Sequence, residues 1–489
     1  MSSYREGLDW GMAFRPMVVI LAALLAAGWL VQGPAEKAMA QGPAAERYRI
    51  IPINPAANKD YKLRSDVLRI LRDGDISGDG QFGEEEQKRL QAYYWGYSLP
   101  RWTLPEYRSQ LAGNPEQLPK NQQTLRVELQ NELRNGRNKP AFDFVTNLVL
   151  KSMENLARPY PAGERSFHPA TRINAMLMIG ELGANPPASF SDVPLPLPDA
   201  LPILLKHLQN PEQIDGVRVA ALVGINRHAD LGGINTPQAR QAIVNAMVAL
   251  VNSPKPDDRS ADGHAWMRSQ AADVLGKLGI AAAGVPQGLT AMVADAALPV
   301  SVRCVPAEAL GKLNYAGAAG LDPSQIVAAL GRLAEAAIAR ELIEKTEDEE
   351  PPDAAPDAAP GALPGVVPGA APGAVPGEQS PETVAAEEKP DLSRRRLKAV
   401  LTSVAQGLTG VRQVATGPHQ ELYIRVSRPV AAILTDLDDR RMKDDELKPK
   451  IEENHRQLQA ALGIGGGPAA PATPPEPAEP PEPTPPAET

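Results

Sequence analysis

From Asp75 to Glu86 the chain reads DISGDGQFGEEE, with an oxygen donor at every second place of its first half. Asp75, Ser77 and Asp79 put side-chain oxygens at the first, third and fifth places. Gln81 offers its backbone carbonyl at the seventh, and Glu86 closes the set at the twelfth with two carboxylate oxygens. About six to eight oxygens, with no nitrogen or sulfur, is what a hard divalent cation requires. Gly80 permits the sharp turn in the middle, Phe82 fills an apolar place, and Gly83 can contribute only through water.

Such a loop needs a helix on either side. Leu63, Val67, Leu68 and Leu71 share one side of a helix predicted over Asp60 to Leu71. A second helix is predicted to begin near Glu84 and to carry Leu90, Tyr93 and Tyr94. With helices on both flanks, the stretch resembles the EF-hand calcium loop. The resemblance implies that Asp75, Ser77, Asp79, Gln81 and Glu86 bind Ca2+. A register starting at Asp73, with Gly78 and Glu84 at the sixth and twelfth places, puts Gly80 at the apolar position and is rejected. A single loop with Ser at the third place implies weak affinity, about 10⁻⁴ to 10⁻³ M, and a structural ion.

Gly78, Gly80 and Gly83 also spell G-x-G-x-x-G. A dinucleotide site needs a preceding strand, and pyrophosphate is not surrounded by Asp75, Asp79 and Glu84. No GxSxG, HExxH or P-loop occurs. The six histidines (His168, His207, His228, His264, His419, His455) show no ligand spacing, and His168 and His228 are expected at helix boundaries. Cys304, the only cysteine, excludes an internal disulfide and CxxC chemistry, and is expected to be a buried structural thiol. No catalytic residue and no organic cofactor is therefore expected, and the chain reads as no enzyme.

One phrase is written four times between His168 and Asn314, aligned on Arg172, Arg218, Arg268 and Arg303. Three places on stand Ala175, Ala221, Ala271 and, out of step, Pro306; seven on stand Ile179, Ile225, Leu275 and Leu310. Eight on is Gly180, Gly276 or Gly311, while the second copy has Gly224 two places earlier. Spacings of 46, 50 and 35 residues suit stacked helix pairs. First helices of these pairs are predicted at Leu201–Leu208, Ala239–Val251 and Leu289–Ala297, with a fifth at Ile326–Ile343. The pattern resembles the short bacterial form of the HEAT-repeat family. That resemblance implies an all-α solenoid whose basic residue at this position bonds to carbonyls or acids of the neighbouring repeat; a cationic ladder for an acidic partner is the alternative. Asn174 and Asn245 are expected to tie turns together.

The remaining segments follow from composition. Only 4% of residues are aromatic against 43% hydrophobic, which suits closely packed helices. Residues 1–40 read as a secretory signal: Arg15, an apolar run from Met17 to Val31, and the small-x-small site Ala38-Met39-Ala40. An uncleaved anchor is the alternative, and Met12 or Met17 are candidate starts. Residues 41–115 form the EF-hand region with an aromatic cluster (Tyr93 to Tyr107), read as packing and alternatively as an exposed patch. Helical repeats span 116–345. An acidic Pro/Ala/Gly-rich stretch, 346–390, cannot bury a core and is expected to be disordered. The helical segment 391–462 either caps the array or forms a small tethered domain, and 463–489 is a Pro-rich tail expected to be disordered.

A net charge of −9 without a basic stripe disfavours nucleic acid. No stable membrane insertion is expected after signal cleavage. The reading is an exported, non-enzymatic scaffold, periplasmic, envelope-associated or extracellular in a bacterium, that binds an unknown protein partner on the solenoid surface. The alternatives are an enzyme resembling HEAT-repeat bilin lyases, or a cell-envelope structural protein.

Overall fold

A computed structural model describes residues 47–76, 81–112, 123–161, 163–189, 192–282, 284–316, 318, 321–347, 392–439 and 441–464. Among them the fold is all-α: seventeen α-helices, with isolated bridges but no strand. The expected signal, the acidic stretch and the tail lie outside the described residues. No helix of the described residues is long and apolar enough to cross a membrane.

The helices begin where local chemistry starts them. Thr124, Asn138, Thr236 and Ser260 each accept an N–H from the first turn they precede, satisfying a donor that a helix start leaves orphaned. His168 does the same through its ring nitrogen, so its place at a helix boundary is explained.

The described residues divide into two compact units. One runs to Leu289 and includes Lys312–Ala316; the other holds Thr290–Gly311 and everything from Gly317.

The first unit opens with α1 (Pro55–Lys59), α2 (Leu63–Asp73) and α3 (Glu84–Tyr93), then α4 (Arg108–Ala112) and α5 (Leu125–Arg134). A π-helical turn, Tyr94–Ser98, follows α3 directly. Next come α6 (Lys139–Ala157), α7 (Pro169–Glu181), α8 (Ala200–Gln209), α9 (Asp215–Asp230), α10 (Pro237–Val251) and α11 (Ala261–Leu278). Here α7 packs on α6 and α9, α9 on α8 and α11, and α11 on α10.

The boundary falls within α12 (Val285–Ala294), which begins four residues before the predicted Leu289. The second unit then holds α13 (Val300–Lys312, to Gly311), α14 (Pro323–Glu347), α15 (Leu392–Val411), α16 (Pro418–Asp438) and α17 (Asp444–Leu462). α14 packs on α15, α16 and α17. The helical pattern from Leu422 to Leu462 is two helices rather than one.

The repeated phrase is a core. Ala175, Ala221 and Ala271 are fully buried, as are Ile179, Ile225, Leu275 and Leu310. Pro306, which replaces the alanine in the fourth copy, is buried inside α13 and removes one helical N–H donor.

Candidate calcium site and the repeat contacts

Leu63, Val67, Ile70 and Leu71 form the buried stripe of α2. The helix stops at Gly74, whose φ of 101° lies in the left-handed region that a Cβ disfavours. Its N–H returns to the Ile70 carbonyl at 2.8 Å. Asp75 follows at once and is only 2% exposed. On the far side, Glu84, Glu85 and Glu86 fill the first turn of α3, where the positive end of the helix dipole favours carboxylates. Glu86 is 8% exposed, and its Oε2 accepts the Gly83 N–H at 3.1 Å. Gly83 has no side chain to return the bond, so this is half of a capping box. Phe82 packs edge-on against Phe144, with centroids 5.7 Å apart.

The two flanking helices are locked together. α2 packs on α3, and Arg89 of α3 reaches Asp66 at 3.0 Å and Asp60 at 3.0 Å. Asp75 thus follows the end of α2 and Glu86 sits in the first turn of α3, and both are withdrawn from water. Burying two carboxylates is costly unless donors or a cation satisfy them, and an all-oxygen pair suits a hard cation. Gln81 is exposed. Ser77, Gly78, Asp79 and Gly80 lie outside the described residues. Among the described residues no three His, Cys, Asp or Glu side chains converge on one metal position.

Beside the loop helices lies a buried carboxylate that the sequence reading passed over. Glu132 of α5 accepts the Tyr93 hydroxyl at 2.7 Å and the Tyr94 hydroxyl at 3.3 Å, and pairs with Arg64 at 3.4 Å. Burial raises the Glu132 carboxyl above the usual range and raises both phenols. Its register was a visible signal, because Glu132 shares the buried stripe of Leu125, Leu129 and Leu133. The aromatic cluster is mostly packing: Tyr93, Tyr94 and Trp102 are buried, while Trp95 stays half exposed and donates to Ser152.

The repeat arginines bond to the helix just before their own, the first helix of the same predicted pair, rather than to the neighbouring repeat as expected. Arg218 Nε donates to the Leu208 carbonyl (3.0 Å), Arg268 Nε to Val251 (2.8 Å) and Arg303 Nε to Val293 (2.7 Å). Each acceptor lies at the C-terminal end of the preceding helix, where carbonyls lack intrahelical partners and a cation meets the negative end of the dipole. In the first copy a side chain intervenes. Arg172 donates to Gln213 Oε1, and Gln213 Nε2 donates to Ala157 O, the last residue of α6, at 2.9 Å. Comparison with protein-family models, curated proteins and solved structures returns no match to this chain.

The repeat glycines mark close crossings. A Cβ on Gly180 would stand 2.7 Å from the Gly224 Cα, so α7 and α9 touch backbone to backbone. In the second unit, a Cβ on Gly311 would meet the Gln406 carbonyl at 2.3 Å, so α13 and α15 touch in the same manner. Arg227 of α9 adds a bond to Gly180 O at 3.0 Å and one to Pro194 O at 2.8 Å. Asn174 bonds to Leu111 O and Ala170 O, each at 2.9 Å, as expected of a turn tie. Asn245 does not tie turns; it is exposed and pairs with Gln241 of its own helix.

The histidines have structural surroundings. His207 Nδ1 lies 2.7 Å from Gln213, and burial pushes its imidazole down to about 4. His228, in the last turn of α9, is fully buried beside the Gly233 backbone, and burial likewise pushes it down to about 4. Cys304 departs from expectation. It is half-buried rather than buried, it donates to Val300 O at 3.3 Å, and burial raises its thiol to about 11.

Proposed function

We propose that this chain is an exported, non-enzymatic scaffold: a HEAT-like array of helix pairs that binds a protein partner, preceded by a structural calcium loop. The observation that carries this reading is the repeated arginine. At four equivalent places it ties the phrase to the end of the preceding helix, three times directly and once through Gln213. A residue spent on internal fastening is unavailable as a cationic ladder for an acidic ligand. The same contacts give each helix pair its own closure, as a stack of repeats requires. Backbone-close crossings at Gly180–Gly224 and Gly311–Gln406 support stacking of successive second helices.

The calcium part rests on Asp75 and Glu86, buried at the ends of two packed helices. With them, Ser77, Asp79 and the Gln81 carbonyl complete an oxygen shell of the EF-hand type. The bound ion would neutralise the two withdrawn carboxylates and hold α2 and α3 at a fixed separation. It would need no further chemistry.

The test is capture by the full chain, immobilised, from envelope extract of the source cell, in calcium and in chelator, with Glu86→Gln alongside. One stoichiometric protein retained in calcium and lost in both controls supports an adaptor whose loop serves binding. A partner retained in all three keeps the scaffold and confines calcium to local structure. If no specific protein is retained under any condition, the scaffold reading fails.

A further inference from the structure

A groove of about 830 Å³ opens within the second unit, between α13, the later turns of α14 and the first turns of α15. Its floor is aliphatic: Val300, Cys304, Ala337, Leu397 and Val400. Its rim is cationic, with Arg340, Arg395, Arg396 and Lys398 against Glu308 and Glu341. Both acids are engaged, Glu341 by Arg396 at 2.6 Å and Glu308 by the Ser403 hydroxyl at 2.7 Å. Lys398 pairs with Asp438, and Arg395 stands exposed.

The chain leaves α14 at Glu347 and resumes as α15 at Leu392, so the 44 residues between begin and end on two helices that build this groove. Residues 348–391 contain ten carboxylates and one lysine, a net −9 equal to that of the whole chain, so everything outside them is balanced. The carboxylates that follow α14 in the chain are interspersed with proline and alanine, from Asp348 to Asp357 (DEEPPDAAPD). Such a sequence offers anions to the rim and small apolar groups to the floor. Tethering at both ends places it beside the groove at an effective concentration of about millimolar, so even a weak intrinsic affinity fills the site.

We propose that the groove is the docking site of residues 348–357 of the same chain. Any outside ligand of this groove then competes with an internal acidic, proline-rich one. The inference stands apart from the calcium loop and from the identity of any partner.

Cys304 provides the probe, because it is the only cysteine of the chain and forms part of the groove floor. The experiment follows alkylation of the full chain by a small neutral reagent, iodoacetamide, and by a bulky neutral maleimide. It compares the native sequence with a variant in which Asp348, Asp353 and Asp357 become Asn and Glu349 and Glu350 become Gln. Neutralisation is expected to speed maleimide labelling on the order of tenfold and iodoacetamide labelling less, since covering hinders the larger reagent more. Added salt is expected to speed the native chain toward the variant, because screening weakens the rim contacts. Arg395→Glu is expected to release protection from the other side, and circular dichroism checks that both variants keep their helices. Equal rates in native and neutralised chains overturn the proposal. So does an equal acceleration of both reagents, which reports a change in thiol ionisation without covering. Protection that grows with protein concentration assigns the segment to a second copy and also overturns it.

Discussion

Glu86 holds two roles in one carboxylate: it caps the Gly83 N–H at the start of α3 and supplies the twelfth loop position. Glu86→Gln keeps the size and one acceptor but loses the charge and the two-oxygen clasp. Calcium affinity, followed by titration calorimetry, is expected to fall at least about tenfold, while the lost charge at the dipole end costs about 0.5 kcal/mol. At Arg303 the group lost is a guanidinium buried against the Val293 carbonyl. Arg303→Met is expected to cost about 2 kcal/mol in denaturant unfolding, the cost of a charge-assisted bond broken in a buried setting. The buried imidazoles set a pH dependence. His207 and His228 lie near 4 in the folded chain, against about 6.5 when unfolded. The folded state binds fewer protons, so their contribution is present above about pH 6.5 and is lost as pH falls toward 4. Raised by burial, Glu132 acts in the opposite direction over the carboxylate range. Replacing His228 with Leu is expected to flatten the stability profile between about pH 6.5 and 4, by roughly 3 kcal/mol at the acid end. An unchanged profile removes the imidazole as its cause.

At the level of helices, two glycines provide a contrast. Gly180→Ala drives a methyl group into the Gly224 backbone and is expected to cost about 1–3 kcal/mol, because neither backbone can yield. Gly216→Ala meets only the mobile end of Ile173, which can turn aside. It is expected to be neutral or to stabilise by up to about 1 kcal/mol through helix propensity. Thermal melts of the two variants read the difference. Most helices were legible in the sequence, because apolar residues at three- and four-residue spacing mark a buried stripe wherever it lies. The repeat arginines, alanines and glycines were legible as a period for the same reason. What each one touches was not. Gln213, the link between Arg172 and Ala157, stands outside the phrase and follows no period. The groove around Cys304 forms only when α15, 44 residues beyond the end of α14, packs onto it. Glu132 was readable as a charge on an apolar stripe, but its two tyrosine donors sit where α3 passes into a π-helical turn, Tyr93 at the end of the one and Tyr94 at the start of the other, which no spacing rule announces.

For the molecule as a whole, the loop proposed to bind calcium lies in the first of the two compact units. Calorimetric scans with and without calcium are expected to show this division. With a dissociation constant near 10⁻³ M, about 10 mM calcium adds roughly 1.4 kcal/mol to the unit that binds it. Only the transition that Glu86→Gln also lowers should move; a uniform shift of all heat absorption would show that the ion acts elsewhere. Charge is unevenly distributed too, since the chain outside residues 348–391 is electrically balanced. The arginine ties have a consequence for ancestry. In α8–α9, α10–α11 and α12–α13 the arginine bond closes between two helices that follow one another in the chain. A duplication that copies two such helices copies their fastener with them, whereas a deletion of α8–α9 removes Gln213 and leaves the Arg172 guanidinium without its acceptor.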